Sequence, residues 1–306
     1  MKLRVGLIGL GNAWENRHRP ALRALSDRFE VRAVCEEVAL RARTVASEFQ
    51  ADPVEGFRSL TSRSDIDAIL MLSPQWFGPL PILAACDAGK AIYCAAALDL
   101  EPGQAEMLKQ RVEDSGVAFM AEFPRRQSPA TIRLKELMAT GLGRPQLIFC
   151  HKRLVTKESL NGHPLGRSYG SPITRELIEL VDWCRFVAGS DPTSVMGIVH
   201  FGPSAPITAD YRMMSLDFSP AGAPGTGAVA QISCGHYMPE HWREAIAFRS
   251  PAGLKVACEH GVAFVDLPAN LIWFDSAGRH QESLDTERPV GEQMLGQFHR
   301  AVTSLY

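Results

Sequence analysis

The fold follows from residues 3–14, which read LRVGLIGLGNAW. A short apolar run is followed at once by Gly9-Leu10-Gly11 and then by a segment with helical character. Glycines at this point allow a tight strand-to-helix turn and let backbone N–H groups approach a pyrophosphate. The third small residue of the G-x-G-x-x-G fingerprint is absent, because Trp14 stands there. The stretch therefore predicts a nucleotide-binding unit that rests on two glycines, with a simple turn as the alternative.

Four more apolar runs follow in the first 120 residues, and amphipathic segments separate them. The predicted strands are 3–8, 31–35, 68–72, 91–94 and 117–120, and the predicted helices are 20–28, 38–49, 81–88 and 103–114. The later runs are continuous rather than alternating, as in parallel strands covered on both faces. This repeated βαβ order predicts an α/β fold for residues 1–123, a Rossmann domain with a doubly wound parallel sheet.

The pattern changes after Pro124. Helices are predicted at 128–140 and 173–187, and the predicted strands are 146–150, 194–200, 212–218, 228–233, 245–249, 253–257, 263–267 and 271–274. Successive strands without crossover helices predict a second domain at 124–306, of α+β type with an open, mainly antiparallel sheet. The last stretch, 291–304, has helical character and suits packing on either domain, including back onto the first.

Composition excludes several classes of protein. The chain has 32 Lys+Arg and 34 Asp+Glu for a net charge of −2, so it offers no basic surface for nucleic acid or an anionic membrane. Seven scattered cysteines form no C-x-x-C motif and predict buried thiols in a reducing compartment. No apolar run approaches the ~18 residues of a membrane span, and the run at residues 3–8 is too short for the h-region of a signal peptide. We expect a soluble, cytoplasmic protein.

Glu36 is the predicted contact to the adenosine ribose. It ends the second strand, where a carboxylate accepts hydrogen bonds from ribose hydroxyls and repels a 2′-phosphate. The position favours NAD over NADP as cofactor, and the alternative is an exposed strand end with no bound cofactor.

Further motifs follow in a fixed order along the chain. They are the turn at Gly9, Val34-Cys35-Glu36, Asp65-Ile66-Asp67-Ala68-Ile69 leading to Ser73-Pro74, Ala88-Gly89-Lys90-Ala91-Ile92-Tyr93-Cys94, Arg125-Arg126-Gln127-Ser128-Pro129 and Gly141-Leu142-Gly143. With them, about the first 190 residues resemble the glucose–fructose oxidoreductase / inositol dehydrogenase (Gfo/Idh/MocA) family. The resemblance implies an NAD(P)-dependent oxidoreductase for a sugar-like or polyol substrate. It also implies a homodimer or higher homo-oligomer that associates through the outer face of the open sheet. The implied cofactor contacts are Gly9, Gly11, Asn12, Ala13, Trp14, Glu36, Ser73 and Pro74.

The residues that perform the family's chemistry are mostly replaced. Its Glu-Lys-Pro, whose lysine lies beside the nicotinamide, corresponds to Ala95, Ala96 and Ala97. Its helical Asp and the acid/base His four residues later correspond to Arg175 and Glu179, and only Asp182 is retained. The family's His after Ser73-Pro74 is replaced by Gly78, and the loop before Pro20 is one residue longer. Alanine carries no acid or base and guanidinium stays protonated, so the usual dehydrogenase mechanism is not expected.

Glu179, Asp182 and Arg175 are the remaining catalytic candidates. One hypothesis makes Glu179 the general base of a rewired site, with a pKa raised by burial. The alternative is that Arg175 and Glu179, spaced i, i+4, form an ion pair on the helix surface. Glu122 ends the last Rossmann strand and is expected to face a ligand at the carboxyl edge of the sheet.

Other polar residues are weaker candidates. Of His151 and Lys152, which follow a predicted strand, at most one points inward because strand residues alternate faces. A Gly-rich loop carries His163, Arg167 and Tyr169, and a predicted turn carries His236 and His241 without a third metal ligand. We assign no metal site.

Three functions stay open. The first is an NAD-dependent oxidoreductase with a non-standard acid/base. The second is a catalytically inactive relative that binds a dinucleotide or a sugar-like ligand as a sensor or partner subunit. The third, an assembly scaffold without nucleotide, depends on Trp14, whose side chain either shields the pyrophosphate turn or fills the dinucleotide site.

Overall fold

A computed structural model describes residues 1–96, 98–156, 172–200, 211–239, 244 and 252–304. The chain divides into two compact units. The first contains Met1–Pro124 and residues 288–304, and the second contains the described residues between positions 125 and 287. In these ranges no helix combines the length and the apolarity needed to cross a lipid bilayer.

The first unit is built on a six-stranded parallel sheet. Its strands are β1 (Leu3–Ile8), β2 (Phe29–Cys35), β3 (Asp52–Pro53), β4 (Ala68–Met71), β5 (Ala91–Cys94) and β6 (Phe119–Ala121). The strand order is β3-β2-β1-β4-β5-β6, and every pairing is parallel. This is the doubly wound order of a Rossmann fold, and it confirms the predicted fold class.

Helices flank this sheet. They are α1 (Arg19–Ala24), α2 (Ala39–Phe49), α3 (Phe57–Thr61), α4 (Pro74–Phe77), α5 (Leu80–Asp87), α6 (Pro102–Ser115) and α9 (Val290–Thr303). The C-terminal helix α9 belongs to this unit, where Phe298 packs against the Tyr93 ring at 5.5 Å between centroids.

A π-helical segment, π1 (Trp14–His18), precedes α1. A π-turn holds more residues per turn than an α-turn. The longer loop that the sequence shows before Pro20 is therefore taken up in the first helical turn after the glycines.

The second unit contains an eight-stranded sheet. Its strands are β7 (Pro145–Thr156), β8 (Ser194–His200), β9 (Tyr211–Asp217), β10 (Val229–Pro239), β11 (Leu254–Cys258), β12 (Gly261–Asp266), β13 (Asn270–Asp275) and β14 (Gly278–Ser283). The order is β14-β13-β12-β11-β7-β10-β9-β8. Among these pairings only β7–β10 is parallel, which confirms the mainly antiparallel sheet.

One face of this sheet is covered by helix and the other is open. The helices of the unit are α7 (Pro129–Leu137), continued by π2 (Met138–Leu142), and α8 (Pro172–Ala188). On β7, Ile148 and Cys150 are buried in one core with Leu180 and Trp183 of α8. By strand alternation and cross-strand register the opposite face carries large exposed apolar side chains. We call it the open face, and it includes Leu147, Phe149, Met196, Ile198, Met213 and Phe274.

Several element predictions need correction. β7 runs to Thr156 rather than ending at Cys150, so His151 and Lys152 lie within the strand. His236 lies in β10 and not in a turn. The predicted helix 128–140 ends as an α-helix at Leu137 and continues as π2. The predicted strand 245–249, the loop candidates His163, Arg167 and Tyr169, and His241 lie outside the described residues.

Candidate functional site

The glycine turn is held by side chains from two neighbouring strand ends. The Leu10 N–H donates to Glu36 Oε2 at 2.7 Å, and the Gly11 N–H donates to Ser73 Oγ at 2.7 Å. Glu36 follows β2, and Ser73 lies just beyond β4, the two strands that pair with β1. The turn is thus fixed where three carboxyl strand ends meet, which is the ligand edge of such sheets.

Both glycines of the turn are required by geometry. Gly9 and Gly11 have φ of +70° and +44°, a region that L-residues rarely adopt. A Cβ on Gly11 would lie 2.1 Å from the carbonyl oxygen of Leu72, and one on Gly9 would lie 2.4 Å from Ser73 Cβ. The turn therefore accepts no larger residue without moving the backbone.

An open cavity of about 210 Å³ adjoins the turn. It is lined by Gly11, Asn12, Glu36, Glu37, Arg41, Ser73, Trp76 and Phe77. Four predicted cofactor residues, Gly11, Asn12, Glu36 and Ser73, thus meet around one space. Sequence reasoning missed Arg41, Trp76 and Phe77; the last two could have been found because they follow the Ser-Pro pair in the first turn of α4.

Arg41 gives this cavity a mixed charge. Its Nη1 lies 3.7 Å from Glu36 Oε1, and its side chain is half exposed. Glu36 is largely buried and already accepts the Leu10 N–H. The cavity therefore presents the largely buried carboxylate of Glu36 with the half-exposed guanidinium of Arg41 beside it, and Glu37 adds a second carboxylate to the lining.

The other predicted cofactor residues do not line the cavity. Trp14 is only 2% exposed and packs in the core of the first unit, 6.0 Å from the Phe49 ring between centroids. Its side chain is neither a lid over the turn nor a plug in the cavity. The Ala13 carbonyl accepts the N–H groups of Arg17 and His18, and Pro74 begins α4.

In the family that the sequence resembles, a catalytic lysine follows the strand that corresponds to β5. In this chain that strand end is apolar. Ala95 and Ala96 follow β5, and the Cys94 thiol donates to the Ala96 carbonyl at 3.3 Å. Ala97 lies outside the described residues. Neither described alanine supplies a group that can accept a proton.

Glu122 lies in the interior of the first unit, which corrects the expectation that it faces a ligand. It is fully buried and binds Arg17, His18 Nε2 at 2.8 Å and the Tyr93 hydroxyl at 3.0 Å. Burial acts to raise the pKa of Glu122, but the hydrogen bond and charge of His18, with Arg17, hold it below its ordinary value. Burial and then Glu122 raise the pKa of Tyr93 well above its usual range. The cluster therefore anchors π1 to the ends of β5 and β6.

Arginines bind the carboxylates of α8 in the second unit. Arg125 contacts both Glu176 and Glu179, and Arg126 donates through Nε to Asp182 Oδ2 at 2.6 Å, with a second bond beside it. The oxygens of these carboxylates are thus already engaged in charge-assisted hydrogen bonds. Arg175 lies in the first half of the same helix and is partly exposed.

A second open cavity, of about 310 Å³, lies within the second unit. It is lined by Arg125, His151, Lys152, Arg153, Leu180, Trp183, Gly253, Asp266 and Leu267. We call it the Lys152 cavity. Sequence reasoning named His151 and Lys152 but missed the rest, which come from elements distant in the chain.

His151 and Lys152 lie on opposite faces of β7. Lys152 shares the face of Cys150, which is buried against α8. His151 lies on the open face, where its Nδ1 is 2.8 Å from Ser233 Oγ. Burial, and then Arg153, lower the pKa of His151. The described residues contain no group of three or more His, Cys, Asp or Glu side chains placed to hold a metal ion.

Comparison with known proteins gives a family match for the first unit. Residues 3–123 match the family model described as the Gfo/Idh/MocA oxidoreductase family, NAD-binding Rossmann fold. The matched residues lie within the first unit and make up less than half of the chain. The predicted resemblance is confirmed.

Two curated proteins are similar to about half of this chain. Inositol 2-dehydrogenase 3 of Saccharopolyspora erythraea is 30% identical over 158 residues, covering 50% of this chain and 46% of that protein. A dTDP-3,4-didehydro-2,6-dideoxy-alpha-D-glucose 3-reductase of Actinomadura kijaniata is 29% identical over 140 residues, covering 46% of this chain and 42% of that protein. The chain thus spans about half the length of the curated relatives it matches.

The fold agrees over the whole chain. The aldose–aldose oxidoreductase of Caulobacter crescentus superimposes with a TM-score of 0.82 at 14% identity, covering 99% of this chain and 90% of that one. At this identity the likeness concerns the fold alone.

Proposed function

We propose that this protein is an NAD(P)-dependent oxidoreductase that acts on a hydroxyl of a sugar-like or polyol substrate with a non-standard acid/base. The observation that carries the proposal is the cavity beside the glycine turn, where Gly11, Asn12, Glu36 and Ser73 converge. These residues fit the adenosine half of a dinucleotide, since a turn that excludes any Cβ adjoins a carboxylate at the end of β2. The bound cofactor would supply the hydride acceptor or donor.

NAD is the proposed cofactor, and NADP is the second choice. Glu36 is the fixed charge of the cavity, and a carboxylate there repels a 2′-phosphate. Arg41 supports the second choice, because a guanidinium 3.7 Å from Glu36 can pair with a phosphate.

The substrate class is proposed from the relatives. Inositol 2-dehydrogenase 3 and the dTDP-sugar 3-reductase act, by name, on a polyol and on a sugar. The Lys152 cavity suits such a molecule because it combines polar and charged groups with the apolar Leu180 and Trp183.

A second candidate function, a catalytically inactive relative that binds ligand, is favoured by the α8 carboxylates. Arg125 and Arg126 already engage the carboxylate oxygens of Glu179 and Asp182, and Ala96 replaces the family lysine. Alanine supplies no acid or base, and both carboxylates have a guanidinium partner in place of a substrate.

Turnover of the wild type and of Glu179→Gln on a panel of polyols and sugars, with NAD and NADP, separates the two candidates. Loss of turnover in Glu179→Gln with unchanged cofactor binding supports a base at Glu179. Equal turnover of the wild type and Glu179→Gln rules out a base at Glu179. If the wild type binds cofactor but turns over no substrate, the inactive relative is favoured.

We also propose that the chain works as a homo-oligomer in the cytoplasm. The exposed apolar side chains of the open face support association. Seven buried free cysteines support a reducing compartment.

A further inference from the structure

Lys152 is a charged residue in the lining of the Lys152 cavity. Its side chain is exposed on the helix-covered face of β7 and makes no ion pair or hydrogen bond in the part of the chain that the structure describes. A lysine in a concave site without a partner is available to a ligand.

The other charged side chains in the lining are Arg125, Arg153 and Asp266. Arg125 is bound by Glu176 and Glu179, which stand outside the wall, so its charge is already offset. Arg153 and Asp266 also line the cavity, but strand alternation and register put their side chains on the face of His151, opposite Lys152. Asp266 is exposed and lies beyond ion-pair distance of Lys152. Among the described residues of the wall, no carboxylate therefore offsets the charge of Lys152.

The remaining wall is apolar. Leu180 and the indole of Trp183 come from α8, and the Trp183 Nε1–H is already bound by Thr131 Oγ1 at 3.0 Å. Both side chains are only 1% exposed, so they close the base of the cavity and offer no stacking surface. The volume of about 310 Å³ is at the lower end for small-molecule sites, which suits a monosaccharide.

We infer that the Lys152 cavity binds an acidic monosaccharide, whose carboxylate or phosphate pairs with Lys152. The inference rests on the proposed function and narrows its substrate to an anionic sugar.

Calorimetric titration of the full chain tests the inference with three probes. D-Glucuronate carries a carboxylate, D-glucose 6-phosphate carries a phosphate, and D-glucose is neutral. A charge-assisted hydrogen bond predicts that at least one acidic probe binds about ten- to a hundredfold more tightly than glucose at low salt. The advantage shrinks as NaCl is raised, because salt screens exposed charges. The stronger of the two acids identifies the anionic group.

Matched variants test whether Lys152 supplies the positive charge that binds the acidic probe. Lys152→Gln is expected to lose most of the preference for the acid, and Lys152→Arg is expected to keep it. Lys255→Gln is the control, because Lys255 is an exposed lysine on the adjacent strand that contacts the Phe149 and Phe264 rings and not the cavity. Thermal melting of each variant verifies the fold.

Three results overturn the inference: equal binding of glucose and both acids, an unchanged preference in Lys152→Gln, or no binding of any probe. Titration of the same preparation with NADH reports separately on the first unit. NADH binding without acid binding rejects only the acidic substrate, whereas absence of NADH binding rejects the proposed function.

Discussion

At the scale of single residues, Gly11 is the most constrained position of the glycine turn. Its positive φ and the 2.1 Å approach of a Cβ to the Leu72 carbonyl leave no room for a side chain. We predict that Gly11→Ala lowers the free energy of unfolding by about 1–3 kcal/mol, measured by urea denaturation, and weakens NADH binding.

Gly103→Ala is the matched control for this substitution. Gly103 lies in the first turn of α6, and a Cβ there would meet nothing within 4 Å. Alanine in a helix is favoured by up to about 1 kcal/mol, so the control should be neutral or stabilising. Equal stability of Gly11→Ala and wild type would show that the turn differs from the described geometry.

Glu36 is the residue expected to select the cofactor. Glu36→Gln keeps an oxygen that can accept the Leu10 N–H but removes the negative charge. We predict that the ratio of NAD to NADP affinity falls about tenfold, which corresponds to about 1.4 kcal/mol, by calorimetry. Glu113→Gln on the exposed surface of α6 is the control. An unchanged ratio would assign the discrimination to another group.

At the residue level, the sequence indicated which residues meet at the glycine turn, because this turn depends on local backbone geometry. The glycine turn and Glu36 were identified because a strand, a turn and a second strand end follow in order. Trp14 was misplaced, because the sequence gives no sign that π1 directs its side chain into the core. The partner of Glu179 was missed because Arg125 is 54 positions away, far outside helical spacing.

At the scale of elements, Glu122 connects π1 with the ends of β5 and β6 through Arg17, His18 and Tyr93. Removing one partner of a buried charged cluster leaves the others uncompensated. We predict that Glu122→Gln lowers the free energy of unfolding by about 3 kcal/mol at pH 7 in urea titrations. Destabilisation no greater than that of the surface variant Glu113→Gln would contradict this role.

The same contact predicts a pH dependence. The pKa of Glu122 is lowered in the folded state, so its stabilisation is present above the ordinary glutamate pKa of about 4.3 and is lost as pH falls through the folded value. The difference in stability between wild type and Glu122→Gln should therefore shrink below about pH 4. A difference that stays constant from pH 7 to pH 3 would show that ionisation of Glu122 is not involved.

Elements with a hydrophobic pattern were predicted well, and those without one were not. β8 was predicted at its observed bounds, and α8 within one residue at each end. β14 was missed because its residues are polar and mostly exposed, and β3 because two residues carry no pattern. These strands form through pairing with neighbours, which is a long-range effect.

At the scale of the whole molecule, the open face predicts self-association. We predict a mass of at least twice 33.6 kDa by light scattering at micromolar concentration. The double variant Ile198→Lys with Phe274→Lys places two charges on this face and should shift the protein toward the monomer. Met107→Lys on α6, also at an exposed apolar residue, should not. A monomeric wild type would reject the proposed interface.

The match of the Rossmann unit favours an enzyme, whereas the residues at the catalytic positions favour an inactive relative. The Rossmann unit matches an NAD-binding family model, whereas Ala96 and the arginine-bound Glu179 and Asp182 depart from that family's chemistry. The oxidoreductase requires a bound dinucleotide, whereas the inactive relative binds either a dinucleotide or a sugar-like ligand.

Calorimetric titration of the full chain with NADH and NADPH is therefore the most direct test of the central claim. We predict saturable binding of one nucleotide per chain, tighter for NADH than for NADPH, and lost in Gly11→Ala but kept in Gly103→Ala. Absence of binding by either nucleotide to the folded wild type would contradict the claim.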